Sequence, residues 1–138
     1  MPSFEILEHT ADIGFHAWGA TPAELFENAA RALVAIAADT SRVTAAHEWP
    51  LDVEGEDLRA LLVNFLNEIL YLFDAGRFVM RDVVVETIGP ASLRARLLGE
   101  PRVPARHPWR LIVKAVTYHG LEVEDRDGQW HARVFLDV

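Results

Sequence analysis

The chain contains no cysteine, a single lysine and only two methionines. Without cysteine it has no disulfide, no thiolate metal site and no cysteine nucleophile, which fits a reducing, cytoplasmic setting. Met1-Pro2-Ser3-Phe4-Glu5 has no basic-then-apolar pattern, so no signal peptide is expected. Polar residues interrupt every apolar run before membrane-spanning length, and no membrane contact is expected. Positive charge is scarce too, with 21 acids against 13 Lys and Arg and a net charge of −8. That balance excludes binding through a globally basic surface. No G-x-S-x-G elbow, Walker loop or G-x-G-x-x-G turn occurs, so catalysis by this chain alone finds no motif to stand on.

What is present is enough for one domain spanning residues 1–138, since a chain of this size buries roughly 70% of its unfolded surface. The charge is uneven. Residues 1–70 carry 12 acids against Arg31, Arg42 and Arg59, whereas residues 71–138 carry 9 acids and 10 bases. Within the second half Arg94, Arg96, Arg102, Arg106, Arg110 and Lys114 face only Glu100. This could form a local RNA, phosphate or acidic-protein contact, but ordinary solvated strand and loop faces account for it better.

Short alternating segments at Phe4 to Glu8 and Ile13 to Gly19 read as two strands joined by a polar loop. Ile13, Phe15 and Ala17 share one face of the second, and Asp12, Gly14, His16 and Trp18 the other. Thr21-Pro22-Ala23-Glu24 is a capping box with proline at the first helical position. It opens a helix to about Asp39 that buries Leu25, Ala29, Leu33, Ile36 and Ala37 and leaves Glu24, Glu27, Asn28 and Arg31 largely outside. Val43 to Val53 is extended, with Pro50 confining it to an edge or a break. Glu54, Glu56 and Asp57 favour the start of a second helix, Leu58 to Phe73, dense in Leu, Ile and Phe. Asp74-Ala75-Gly76 ends it. Its narrow polar stripe of Asn64, Asn67 and Glu68 either meets solvent or organises a site, with solvent slightly favoured.

From Phe78 the period becomes two. Phe78 to Thr87, Ser92 to Leu98, Leu111 to His119, Gly120 to Glu124 and Trp130 to Leu136 are expected strands, with turns at Gly89-Pro90 and Asp127-Gly128. Gly99 to Pro108, with three prolines, should be an exposed loop. Two helices and several strands without βαβ alternation imply an α+β fold, the helices packed on mostly antiparallel sheets.

Functional candidates gather at the two ends of the chain. The loop Glu8-His9-Thr10-Ala11-Asp12 concentrates polar groups outside any helix pattern. The last strand alternates Trp130, Ala132, Val134 and Leu136 against His131, Arg133, Phe135 and Asp137. Asp137 therefore lies on the polar face beside the α-carboxylate of Val138. Asp12, Asp137 and Val138 together would offer oxygen ligands to a hard cation, calcium or magnesium rather than zinc. Spacing alone favours a turn or capping role for Asp12. His9 and Asp12 have H-x-x-D spacing, and a zinc site would need His16 or His119 as well. An Asp12 and His119 pair could also do acid–base work, though no nucleophile accompanies it. The lone lysine, Lys114, is expected to share a strand face with Ile112, Val116 and Tyr118, opposite His119. It either offers a compact ammonium to a carboxylate or phosphate, or snorkels from an edge strand.

Four stretches in order, His9-Thr10-Ala11-Asp12-Ile13-Gly14, Asp57 through Leu70, Val113 through Leu121, and Leu136-Asp137-Val138, resemble the archease family over essentially the whole chain. One departure is Phe65, where the family often has tryptophan. The resemblance implies a cytoplasmic accessory protein that activates an RtcB-type RNA ligase in tRNA splicing or RNA repair. It would promote GTP-dependent guanylylation of the ligase's own histidine and support multiple turnover, without sealing RNA itself. The family's metal ligands match Asp12, Asp137 and Val138, which makes a divalent ion, calcium favoured, the expected cofactor. His9, Lys114 and His119 become candidate partner or nucleotide contacts. Two alternatives remain: a chaperone-like modulator of a tRNA methyltransferase, and a stand-alone metal-dependent phosphohydrolase.

Overall fold

A computed structural model describes residues 3–8 and 13–138. Strands β1 (Phe4–Glu8) and β2 (Ile13–Gly19) precede helix α1 (Pro22–Ala37), and β3 (His47–Glu54) precedes helix α2 (Leu58–Asp74). Then come β4 (Val79–Ile88), β5 (Ser92–Glu100), β6 (Ala115–Val116), β7 (Glu122–Arg126) and β8 (Gln129–Asp137). All pairings among them are antiparallel. They form a five-stranded sheet ordered β1-β2-β8-β6, with β7 also on β8, and a three-stranded sheet ordered β3-β5-β4. The expected α+β class with two helices and antiparallel sheets is what is observed.

The helices start where local chemistry sets them. Thr21 accepts the Glu24 N–H at 3.1 Å, and the Glu24 carboxylate reaches back to the Ala20 N–H at 3.3 Å. Asp57 caps α2 by accepting the Ala60 N–H at 2.8 Å. At its far end Gly76, φ 71°, takes the left-handed position that glycine alone adopts cheaply. α1 ends at Ala37, two residues before the expected Asp39, because Ala38 pairs with Trp109 and Asp39 caps the short 3-10 turn Thr40–Arg42.

Phe15, Ala17, Ala132, Val134 and Leu136 form the inner face of the large sheet, and Leu51, Val53, Val83, Ala95 and Leu97 that of the small one. α1 packs against both, through β2 and β4. Its outer edge is not the solvated stripe expected. Asn28, only 6% exposed, donates to the Trp18 carbonyl at 2.8 Å and accepts from Arg31 at 2.7 Å. Arg31 binds Asp82 and Glu27 accepts the Val85 N–H, both at 2.8 Å. This polar edge ties β2 to β4.

Three further expectations need correction. Leu111 to His119 is not one strand: only Ala115–Val116 pairs with β8. The Arg110 N–H bonds the Ala37 carbonyl at 2.8 Å, drawing the preceding segment across the end of α1. Val113 and Val116 are both buried and Lys114 is exposed, so Lys114 and Val116 do not share a face. Second, Gly99 and Glu100 belong to β5, and the following proline-rich loop is pinned at His107, which is 3% exposed. His107 accepts the Val103 N–H at 2.9 Å and meets Glu100 at 2.8 Å. The Glu100 carboxyl is held below its usual range, first by the Thr44 N–H and then by His107. Third, the α2 polar stripe meets solvent at Asn64 and Glu68, as favoured, but two of its members also hold backbone groups. Asn64 donates to the Glu54 carbonyl at 2.8 Å, and Asn67 clamps Val116 from both sides, its amide donating at 3.1 Å and accepting at 2.8 Å.

Asn67→Ala should therefore free both backbone groups of Val116. A loss of about 1–3 kcal/mol follows from a part-buried pair left unsatisfied. Hydrogen exchange should speed up first at Val116 and its neighbours rather than across the small sheet.

Candidate functional site

The exposed end of β8 is assembled by its neighbours. β2 lies on one side, with Ile13 opposite Leu136, and β6 on the other, with Ala115 opposite Asp137. The Lys114 N–H donates to the Asp137 carbonyl at 2.7 Å, and the Thr117 N–H to the Phe135 carbonyl at 3.2 Å. Asp137 and Val138 are exposed, as are Lys114 and His119. Among the described residues no ion pair engages the Asp137 carboxylate or the Lys114 ammonium.

His119 sits on the turn after Thr117, whose hydroxyl accepts its N–H at 3.2 Å. Gly120, φ 68°, lets that turn press onto Phe135: a Cβ there would stand 2.7 Å from the ring, and one at Gly14 would stand 2.8 Å from its other edge. Phe135 thus ties the His119 turn and the beginning of β2 to β8. Ile112 and Tyr118, 60% and 54% exposed, flank this rim with apolar surface.

His9 and Asp12 lie outside the described residues. Of the candidates, the structure brings Lys114, Asp137 and Val138 to one end of the sheet through the β6 and β8 pairing. No hydrogen bond joins the side chains of Lys114, His119 and Asp137. Among the described residues no three His, Asp or Glu side chains converge as a metal site. The donors that are described, the Asp137 carboxylate and the exposed Val138 at the chain end, have the oxygen chemistry a hard cation takes.

The arginines of the second half mostly have partners. Arg94 binds Asp52 at 2.9 Å, and Arg96 binds Glu48 at 2.5 Å and Glu86 at 3.4 Å. Arg102 stacks 3.9 Å over the Phe73 ring and donates to the Phe73 carbonyl at 2.9 Å, covering the end of α2. These are solvated or structural pairs, and they form no anion-binding patch.

A second constellation was not visible from spacing. Glu5, His16, Arg133 and Glu122 stand in register across β1, β2, β8 and β7, with Trp18, His131 and Glu124 in the next row. His16 Nε2 lies 2.8 Å from His131 Nδ1, and His16 Nδ1 lies 3.5 Å from Glu5. Burial, then the charge of His16, lowers the His131 pKa below the usual histidine value. A cleft of about 220 Å³, lined by Glu5, His16, Glu122, Arg126 and Arg133 among others, opens beside this pair.

Comparison with known proteins gives a consistent result. The profile of the Archease protein family matches residues 4–138. Protein archease of Methanosarcina mazei is 42% identical over 146 residues, covering 100% of both chains. That of Pyrococcus furiosus is 39% identical, again over 100% of both. The solution structure of protein 1598 from Methanobacterium thermoautotrophicum superposes with a TM-score of 0.78 at 36% identity, covering 100% of each chain. The crystal structure of an archease from Thermotoga maritima, described as a possible chaperone, shares the fold at a TM-score of 0.62 and 20% identity, over 96% of this chain and 94% of that one.

Proposed function

From the premise that this chain belongs to the archease family, we propose that it activates an RtcB-type RNA ligase through a divalent cation, calcium favoured, held by Asp12, Asp137 and Val138. The observation that carries this reading is the register of β2 against β8. Ile13 pairs with Leu136, and Asp12 and Asp137 are their immediate chain neighbours. Under this reading the two ends of the chain, far apart in sequence, supply carboxylates to one end of the sheet.

A cation held there would keep open positions for a partner's carboxylate or for nucleotide phosphates, because hard divalent ions take six to eight oxygens and this chain offers fewer. Lys114, His9 and His119 would contribute polar contacts to the same partner, the ammonium as a compact point charge. The chain's part in the chemistry is to present and orient, while the nucleotide is transferred on the ligase.

The test is guanylylation of the ligase by GTP and a divalent metal, with and without this protein. Faster guanylylation and repeated turnover support the reading. The description of the Thermotoga protein as a possible chaperone motivates a second one, a chaperone-like role; the chain would then modulate a tRNA methyltransferase and hold its metal structurally. Under that reading chelation lowers the melting temperature while guanylylation does not respond. Phosphate-ester turnover by the purified chain alone would instead point to a phosphohydrolase.

A further inference from the structure

We propose that His16 and His131 form a second cation site, for a divalent transition metal of the zinc class, separate from the oxygen-ligand rim at Asp137. Their facing nitrogens, 2.8 Å apart, come from two strands paired at the centre of the large sheet, so their backbones are fixed. Only one proton can lie between them, and a metal ion takes the place of that proton. A tetrahedral ion with metal–nitrogen bonds of about 2.0–2.1 Å holds two such nitrogens about 3.3 Å apart. Side-chain torsions alone supply an opening of roughly 0.5 Å.

The surroundings suit such an ion. Glu5, 3.5 Å from the remote nitrogen of His16, stands where a carboxylate orients a metal-bound imidazole and raises its basicity. Because burial disfavours the charged form of His131, its ring supplies the neutral nitrogen that ligation needs. Glu124, in register with His131 on the same face, is held by Arg126, so the two imidazoles are the protein ligands and water completes the coordination. Imidazole nitrogens select zinc, cobalt, nickel or copper over calcium, so this site fills in the presence of excess calcium. With two protein nitrogens it binds more weakly than a three- or four-ligand structural zinc site.

The proposal is independent of the ligase reading and is tested without a ligase. Cobalt is titrated into the intact protein in saturating calcium, followed by its visible absorption, and displaced with zinc. One equivalent should bind to the parent chain and equally to Asp137→Ala. Binding should be lost in both His131→Gln and His16→Gln, each checked for folding by thermal melting. Glu5→Gln should bind about 10–100-fold more weakly. No saturable cobalt spectrum in the parent, parent-like binding in the folded histidine variants, or loss of binding in Asp137→Ala would each overturn the proposal.

Discussion

Asp137→Ala is expected to fold and melt with the parent chain yet to leave ligase guanylylation at its unstimulated rate. The carboxylate is exposed at the end of β8 and has no ion-pair partner among the described residues. The residue's structural part is played by its carbonyl, which accepts the Lys114 N–H at 2.7 Å, and alanine keeps that bond. A surface change of this kind shifts stability by no more than about 0.5 kcal/mol. Losing one charged ligand should weaken calcium binding by about 100-fold, well inside the range over which ligand charge tunes calcium sites. A melting curve with and without calcium separates the two effects. Calcium at 100 times its dissociation constant adds about 2.7 kcal/mol to a protein that binds it only when folded. The parent should show that rise and Asp137→Ala should lose most of it. Full stimulation of the ligase by the calcium-blind variant would remove the metal from the mechanism.

Phe65→Ala should have the largest effect on stability. Phe65 is 0% exposed, and its ring centroid lies 5.8 Å from that of Phe26, where α2 meets α1. Truncating a phenylalanine in such a site costs about 3–5 kcal/mol, the removed surface plus the cavity left behind. Against a total of about 5–15 kcal/mol, that is a large fraction, and the midpoint of thermal unfolding should fall by roughly 10–20 °C. Phe65→Trp should cost less, about 1–3 kcal/mol, because a full site must shift to admit a larger ring. A milder loss for Phe65→Ala than for Phe65→Trp would mean that the helix interface is loosely filled.

The helix ends were legible in the sequence because their signals are local: Thr21 and Asp57 each bond an amide three residues on, and Gly76 takes a conformation that neighbours alone dictate. The alternation of the last strand was equally readable, since Ala132, Val134 and Leu136 are buried as expected. What failed depended on partners that no local pattern announces. Leu111-Ile112-Val113 has strand composition, yet its course is set by α1, through the bonds to Ala37 and Ala38. Asn28 reads as a surface residue until the Trp18 carbonyl arrives at 2.8 Å. His107 reads as an exposed loop residue until Glu100 and Val103 enclose it.

The site divides along the same line. Periodicity placed Asp137 correctly on the polar face of β8, and the rim around it is built by β6, β8 and the Phe135 packing. Periodicity also put His16 and His131 each on the polar face of its own strand. Only the register, which a single sequence does not encode legibly, set them side by side. Asp12 and His9, the other half of the proposed rim, lie outside the described residues.

The position of β8 has a consequence for how the chain is made. Strands β3, β4 and β5 and helix α2 occupy one continuous stretch of sequence and pair among themselves, so this half can close as it leaves the ribosome. The other sheet has to wait, because β8 is synthesised after β2, β6 and β7 and yet is the strand that joins them. Until it emerges, β2 carries an unpaired edge beside Phe15 and Ala17, the kind of surface that invites mispairing in nascent chains. The rim proposed to meet the ligase is therefore the last part to be completed. A chain interrupted before β8 would present a sticky strand edge to the cell's quality control and no partner site.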